Sequence, residues 1–262
     1  MLGLGASLSH GSSYITGGWA NTHSAYLDGA ADYLNTNSDP TFAFRGNFTV
    51  MGHFFLLDGQ PAAAQTLFGV DAGGVGTPDK VHCFVDTDGT VVFDHVSNDD
   101  AATTTTDAAV FANGNSNAFV HIVVTVQKQG SGQGETLYKI YKDGAEVAST
   151  TANAMTGENH LLLDVSSSTL HFGAKGIGGN SPSTLMIGFI DEIALFKRTM
   201  AANEIAAAYN SDVVIDLLLP KGDYTPAKLS LYYHLDDNTT DSAGSSNATL
   251  TGGVFNSDFI AP

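Results

Sequence analysis

The chain has 262 residues, of which 43% are hydrophobic and 14% are charged. Its 10 Lys and Arg residues against 27 Asp and Glu residues give a formal net charge of −17. A chain of this length buries a core without disulfides, and its charge excludes nucleic-acid binding, which requires clustered cations. It contains no apolar run of the roughly 18 residues that a membrane span requires.

The N-terminal segment is rich in Gly and Ser and shows no sustained hydrophobic period. Residues 1–20 are therefore predicted to form an arm, which packs either on its own domain or on a neighbouring subunit. The segment lacks the basic region and the long apolar core of a secretory signal. We therefore expect a protein made in the cytoplasm, which needs a route other than secretion to leave the cell.

Strand-like segments follow one another after this arm. Residues 25–34 predict a strand, a turn at Asp28 and Gly29, and a return strand. Residues 42–57 predict two strands joined by a turn at residues 45–47. These short strands and turns are typical of a sandwich.

Two Asp-Gly turns predict β-hairpins, because Asp and Gly readily adopt the positive φ angles that tight hairpin turns require. The first is at residues 86–89 (DTDG) and the second at residues 142–144 (KDG). The single cysteine, Cys83, lies in the apolar strand before the first turn and is predicted to be a small buried hydrophobe. Residues 101–107 are low in apolar content and predict an exposed loop or a sheet edge.

Residues 119–128 predict a long strand whose all-apolar face points to the core. In all, the chain gives roughly ten to thirteen predicted strands and one short helix near residues 200–209. Regularly spaced strands without intervening helices indicate an antiparallel arrangement. The predicted fold is therefore an all-β, antiparallel two-sheet sandwich, and the family resemblance described below implies that it is a jelly roll. The all-apolar face of the strand at residues 119–128 consists of Val120, Ile122, Val124 and Val126.

Residues 188–196 (GFIDEIALF) are apolar on both faces and predict a strand in the middle of the sandwich, buried on both sides. Asp191 is then a carboxylate among apolar neighbours, so it needs a partner. Because side chains alternate along a strand, Asp191 and the next residue, Glu192, are expected to project to opposite faces. The following Ala-rich segment predicts a helix laid over a sheet edge.

This strand and helix resemble the closing elements of laminin-G-like jelly rolls in the concanavalin A-like lectin/glucanase superfamily. The resemblance rests on residues 190–193 (IDEI), 196–198 (FKR), 204–205 (EI) and 209–210 (YN), and residues 26–34 and 48–51 are similar to earlier strands of the family. The chain departs from the family at Ala201, where a Ser or Thr usually caps the helix. Losing this cap costs about 1 kcal/mol, so the helix start is expected to fray unless packing holds it.

The resemblance implies a structural Ca²⁺ site in which Asp191 joins the loop of Asp28 and Gly29, together with Asp32. Oxygen ligands of this kind suit a hard cation. In the alternative interpretation, Asp191 accepts hydrogen bonds from backbone amides and Asp28 makes only the turn.

Residues 211–262 carry a pattern that usually begins a jelly roll of this kind: an aromatic strand, an acidic turn, Asp-Ser-x-Gly and a Leu-x-Gly-Gly strand. The predicted domains are therefore an arm (1–20), a jelly roll (21–210) and a C-terminal extension (211–262). The extension is a circular permutation that completes its own sandwich, a segment that completes a neighbour's sheet, or a truncated repeat. A truncated repeat could not bury its apolar face alone, so the first two are favoured.

Catalytic motifs are missing from the sequence. Hydrolases of this superfamily alternate acids along one strand as Glu-x-Asp-x-x-Glu, which this chain lacks. Asp86 and Asp88 lie in a hairpin turn, where solvated residues are more common than catalysts. The nine histidines show no zinc-ligand spacing. We therefore expect that the protein is not an enzyme.

The expected function is a structural or adhesive component of a virion or similar particle, such as a capsid decoration or fibre protein. Its partners would be other particle subunits, including copies of itself, and surface glycans. The alternative is an extracellular, calcium-dependent carbohydrate-binding module. The sequence does not identify the ligand-binding residues. Aromatic candidates for stacking on sugar are Tyr14, Trp19, Tyr26, Tyr232 and Tyr233.

Overall fold

The computed structural model describes residues 20–37, 46–71, 79–97, 100–114, 118–129, 135–152, 169–177 and 180–262. The predicted arm up to residue 19 and the predicted strand before residue 46 lie outside the described residues. The described part of the chain contains one helix, α1 (Ala202–Tyr209), and seventeen strands. The strands are β1 (Ser24–Asp28), β2 (Tyr33–Asn35), β3 (Phe48–Leu56), β4 (Gln65–Asp71), β5 (Lys80–Val85), β6 (Val91–Ser97), β7 (Asp100–Thr105), β8 (Val120–Lys128), β9 (Thr136–Lys142), β10 (Ala145–Ala152), β11 (His171–Phe172), β12 (Lys175–Ile177), β13 (Asn180–Ser183), β14 (Ile187–Phe196), β15 (Leu229–Tyr233), β16 (Thr249–Thr251) and β17 (Val254–Asn256).

The strands form two sheets, as the sequence predicted. The first sheet has the order β10-β9-β8-β3-β14-β1-β17, and β15 also pairs with β14. The second sheet has the order β16-β2-β11-β4-β5-β6-β7, extended by β12 and β13. All pairs are antiparallel except that of β12 with β4. Both predicted Asp-Gly hairpins are present, as β5-β6 and β9-β10.

The strand, turn and return strand predicted in residues 25–34 are present, but the two strands do not pair with each other. Strand β1 lies in the first sheet and β2 in the second, so the turn at Gly29 carries the chain from one sheet to the other. The sequence shows a turn there, but the same turn serves a hairpin or a crossing between sheets. Only the hydrogen-bond partners of each strand distinguish the two arrangements.

The main core lies between the two sheets. The predicted apolar face of β8 points into it, together with Ile190, Ile193 and Leu195 of β14 and Phe68, Cys83 and Phe93 of the second sheet. The opposite face of β8 is also buried, because Phe119 and Val123 belong to two further apolar clusters. The first sheet is therefore covered on both faces.

Helix α1 and part of the C-terminal segment cover the outer face of the first sheet. Ile205 and Ala208 of the helix pack with Met51 and Val123 of the sheet and with Ile215 of the tail. The helix starts without a side-chain cap at Ala201. Glu204 replaces it: its Oε2 accepts a hydrogen bond from the Ala201 N–H at 3.0 Å, and both carboxylate oxygens pair with Arg198. Packing and this ion pair hold the helix start.

The C-terminal segment adds strands to both sheets of its own chain. Strand β15 pairs with β14, β16 with β2, and β17 with β1. Strands β1 and β15 lie end to end along the same edge of β14, opposite residues 187–190 and 193–196. The loop after β15 is held by Asp241, whose carboxylate accepts four backbone hydrogen bonds.

Candidate functional site

The predicted calcium ligands Asp28 and Asp32 form a local turn around Gly29. Asp28 Oδ1 accepts the N–H of Ala30 at 2.7 Å, and Asp32 Oδ2 accepts the N–H of Asp28 at 2.9 Å. Gly29 has a φ of 79°, which favours glycine. Both carboxylates thus take part in shaping the turn.

Asp191 lies apart from this turn. In the register of β1 and β14, Asp28 is opposite Ile187, so Asp191 is four residues, or about 13 Å, further along the strand. Asp191 is fully buried and accepts hydrogen bonds from Asn21 Nδ2 at 2.9 Å and from the N–H groups of Ala261 and Glu192 at 3.0 Å. Among the described residues, the structure brings together no group of three His, Cys, Asp or Glu side chains that could hold a metal. Calcium binding stays a prediction.

A β-bulge follows Asp191 and interrupts the side-chain alternation of β14. The expectation that Asp191 and Glu192 project to opposite faces is therefore wrong. The register with β3 shifts between Asp191 and Ala194, and Glu192 has a φ of 50°. The extra residue moves Ile193 to the core side, so Asp191 and Glu192 both lie on the outer face. The bulge coincides with the point where the neighbour of β14 changes from β1 to β15.

Glu192 belongs to a buried cluster of titratable groups beneath the tail. The Tyr232 hydroxyl donates to Glu192 Oε2, and His234 Nδ1 lies 3.5 Å from Glu192 Oε1. The rings of His53 and His121 lie nearby with centroids 4.7 Å apart. These two histidines and Glu192 line a cavity with about 10 Å³ of space for the centre of a water molecule.

Burial dominates the electrostatics of this cluster. It raises the pKa values of Asp191 and Glu192 well above their usual range. It also lowers the pKa of His53 to about 4 and that of His121 well below its usual value. The tail covers the cluster: the Leu217 N–H donates to the Tyr232 hydroxyl at 3.4 Å, and the Tyr224 hydroxyl donates to the Leu217 carbonyl at 2.6 Å.

The aromatic candidates of the sequence do not form an exposed platform in the described residues. Tyr232 and Tyr233 are fully buried. Tyr26 is half-buried and packs on Phe189, with ring centroids 5.0 Å apart. Tyr14 and Trp19 lie outside the described residues.

The outer face of the second sheet carries a row of polar side chains that sequence reasoning missed. Strand pairing places one residue from each of six neighbouring strands side by side across this face. At the usual strand spacing the row spans about 24 Å. From β2 to β7 it consists of Asn35, His171, Gly69, His82, Asp94 and Thr103. Gly69 contributes no side chain, and His171 and His82 are buried.

An aromatic pair and two ion pairs lie in this row or beside it. The rings of His82 and Phe84 stack with centroids 4.6 Å apart. Lys80 Nζ lies 3.1 Å from Asp94 Oδ2, and Lys175 Nζ lies 3.3 Å from Asp71 Oδ2. These side chains combine an apolar ring surface with hydrogen-bond donors and acceptors.

The two histidines of the row are uncharged at neutral pH. Burial and the charge of Lys175 lower the pKa of His82 to about 3, and burial lowers that of His171 to about 4. His82 Nε2 is 2.8 Å from the Thr66 hydroxyl, which fixes the ring. The alternation of side chains in β5 could have revealed this face from the sequence. Val81, Cys83 and Val85 point inward, whereas Lys80, His82 and Phe84 point outward.

Comparison with known proteins supports the sandwich assignment. The sequence model of the family described as the Concanavalin A-like lectin/glucanases superfamily matches residues 28–206. A search of curated proteins found no match. Among the described residues, no helix is long and apolar enough to span a membrane.

Solved structures similar to this chain include two bacterial proteins and a bacteriophage protein. A candidate carbohydrate-binding protein from Bacteroides ovatus is 15% identical with a TM-score of 0.62, and the match covers 93% of this chain and 62% of that protein. The CBM40 of a Ruminococcus gnavus sialidase, bound to α2,3-sialyllactose, is 16% identical with a TM-score of 0.56 (71% and 96% covered). Tailspike protein 2 of the Escherichia coli O157:H7 bacteriophage CAB120 is 13% identical with a TM-score of 0.53 (84% and 31% covered).

Proposed function

Because the chain belongs to the Concanavalin A-like lectin/glucanases superfamily, we propose that it is a non-catalytic domain that binds glycans through the outer face of its second sheet. This proposal rests on the different burial of the outer faces of the two sheets. Helix α1 and the tail bury the outer face of the first sheet, whereas Lys80, Phe84 and Asp94 on the second sheet are only half-buried. The second sheet thus offers side chains that a ligand can reach.

The chemistry of this face suits carbohydrate. A sugar ring has apolar C–H faces that pack on aromatic rings, and its hydroxyl groups both donate and accept hydrogen bonds. Phe84 offers such a ring, and the Lys80 and Asp94 pair beside it offers a donor and an acceptor. The similarity to a candidate carbohydrate-binding protein and to a CBM40 bound to sialyllactose agrees with this choice.

The placement of the acidic side chains supports binding without hydrolysis. Glycoside hydrolysis requires two carboxyl groups on either side of the scissile bond, about 5 to 9 Å apart. Asp191 and Glu192 share a face, but both are buried beneath the tail. On the exposed sheet, Asp71 and Asp94 are each paired with a lysine. We expect no release of reducing sugars from laminarin, agar or carrageenan, and release that a single carboxylate substitution abolishes would contradict this.

The binding experiment is a glycan array followed by calorimetry on the purified chain. We expect Phe84→Ala to weaken binding of an array hit at least tenfold, because it removes the stacking ring. Leu219→Ala is the matched control, since Leu219 is 46% exposed on the tail, away from this sheet. Both variants should melt within a few degrees of the wild type. Absence of any glycan binding, or equal binding by the Phe84→Ala variant, would reject the proposal.

The second candidate is an adhesive or structural component of a virion, assembled from several copies of the chain. The similarity to a bacteriophage tailspike favours it. We propose that the protein would then be located in the virion. The test is the mass of the native assembly from which the chain is purified. A large particle containing other structural proteins supports this candidate, whereas a free monomer contradicts it.

A further inference from the structure

The charges on the outer face of the second sheet balance locally. Among the described side chains of its strands, this face carries two lysines and two aspartates, joined as Lys80 with Asp94 and Lys175 with Asp71. The remaining titratable groups of the row, His82 and His171, are uncharged at neutral pH. The face therefore presents donors and acceptors without an unpaired cation.

The surroundings of this face disfavour an anionic ligand. The chain as a whole has a formal net charge of −17, which repels anions over a distance that salt limits to about 8 Å at physiological ionic strength. At closer range, a sugar carboxylate or sulfate would have to take a lysine away from its aspartate. An uncharged hydroxyl can instead bind beside the ion pair and use both of its members.

We propose that this face selects uncharged glycans, whose rings stack on Phe84 and whose hydroxyl groups bind the Lys80–Asp94 and Lys175–Asp71 pairs. The inference rests on the proposed function and specifies its ligand class. The row crosses six strands, and its span of about 24 Å is long enough for an oligosaccharide of several sugar units. The specificity would differ from that of the sialyllactose-bound CBM40, which has the same fold.

The test compares matched neutral and anionic probes on the purified chain. Lactose and α2,3-sialyllactose form one pair, and neutral oligosaccharides with their sulfated forms provide others. We expect neutral members to bind at least tenfold more tightly than their anionic counterparts. We also expect their affinity to change less than twofold between low and high salt, because no counterion is exchanged.

Two variants connect the selectivity to the ion pairs. Asp94→Asn removes the carboxylate that neutralises Lys80, so it should raise the affinity for anionic probes at least threefold. Asp258→Asn is the control, because it removes one negative charge from an exposed site outside this face. If both variants raise anion affinity equally, the effect is one of net charge and the local argument is wrong.

The outcomes separate the two proposals. Tighter binding of the anionic member of each pair overturns the selectivity and leaves glycan binding intact. Binding of no probe in either class overturns both. Neutral binding that Phe84→Ala weakens at least tenfold, together with higher anion affinity of the Asp94→Asn variant, supports both.

Discussion

At the scale of single residues, Asp191 shows how a buried carboxylate is satisfied. Its two oxygens accept one side-chain and two backbone N–H groups. This is the hydrogen-bonded alternative that the sequence left open beside a cation. Two of the three donors, Asn21 and Ala261, come from near the two ends of the described residues, so one carboxylate ties both ends to the middle of β14.

Replacing this carboxylate should destabilise the fold strongly. Asp191→Ala leaves the N–H groups of Ala261 and Glu192 without this acceptor and removes one of the two hydrogen bonds of the Asn21 amide. We therefore expect a loss of about 2–4 kcal/mol in the free energy of unfolding. Asp28→Ala is the control, because it removes an acceptor from an exposed turn. The measurement is urea unfolding with and without EDTA. If EDTA destabilises the wild type but not the Asp191→Ala variant, a cation is present and hydrogen bonds alone do not explain the site.

At the scale of structural elements, the tail acts as part of the sandwich. It supplies three strands and covers the outer face of the first sheet with residues such as Ile215, Leu217 and Tyr224. Leu217 is 5% exposed, whereas its neighbour Leu218 is 40% exposed. These adjacent leucines allow the contribution of tail packing to be measured with a matched pair.

We expect Leu217→Asp to cost at least about 3 kcal/mol, because it places an unpaired charge in an apolar cluster. Leu218→Asp should change stability by no more than about 0.5 kcal/mol, because its side chain meets solvent. Thermal and urea unfolding measure both. Equal effects of the two substitutions would show that the tail does not pack as the structure describes.

Removal of the tail should have a larger effect. Deleting everything after Asn210 removes β15, β16 and β17 and uncovers the cluster around Glu192. We expect an insoluble chain or a molten state that binds the dye ANS and lacks a near-ultraviolet circular dichroism signal. A truncated monomer with an unchanged melting temperature would show that the tail is an appendage.

At the scale of the whole molecule, buried histidines should make the protein sensitive to acid. Six of the seven histidines that the structure describes have pKa values lowered by burial. Because their folded pKa lies below the unfolded value of about 6.5, the unfolded state binds more protons once the pH falls below 6.5. The six are His53, His82, His95, His121, His171 and His234.

We therefore expect stability to fall between pH 7 and pH 5. Asp191 and Glu192, whose pKa values are raised, act in the opposite direction but are fewer. His95, with a folded pKa of about 4, contributes up to about 2 kcal/mol of this loss at pH 5. His95→Gln should reduce the loss, whereas the half-buried His23 gives a control in His23→Gln. Urea midpoints that do not change between pH 7 and pH 5 would contradict the prediction.

The sequence by itself determined the elements whose signal is local. Alternation in residues 119–128 identified a strand and its core face, and Asp-Gly pairs identified two hairpins, because turn geometry and side-chain period depend only on neighbouring residues. The family pattern around residues 188–196 identified the central strand and the fold. Strand β15 of the C-terminal extension pairs with β14 of the same chain, which is the first of the two arrangements that the sequence favoured.

Only the tertiary structure decided where separate segments meet. The bulge at Glu192 arises where β14 changes neighbours, so the position of its side chain depends on β1 and β15, which are distant in sequence. The same holds for the row from Asn35 to Thr103, whose members come from six strands and become neighbours only through strand register. A strand pattern gives the face of each side chain but leaves its cross-strand partner open, because register is fixed by long-range pairing.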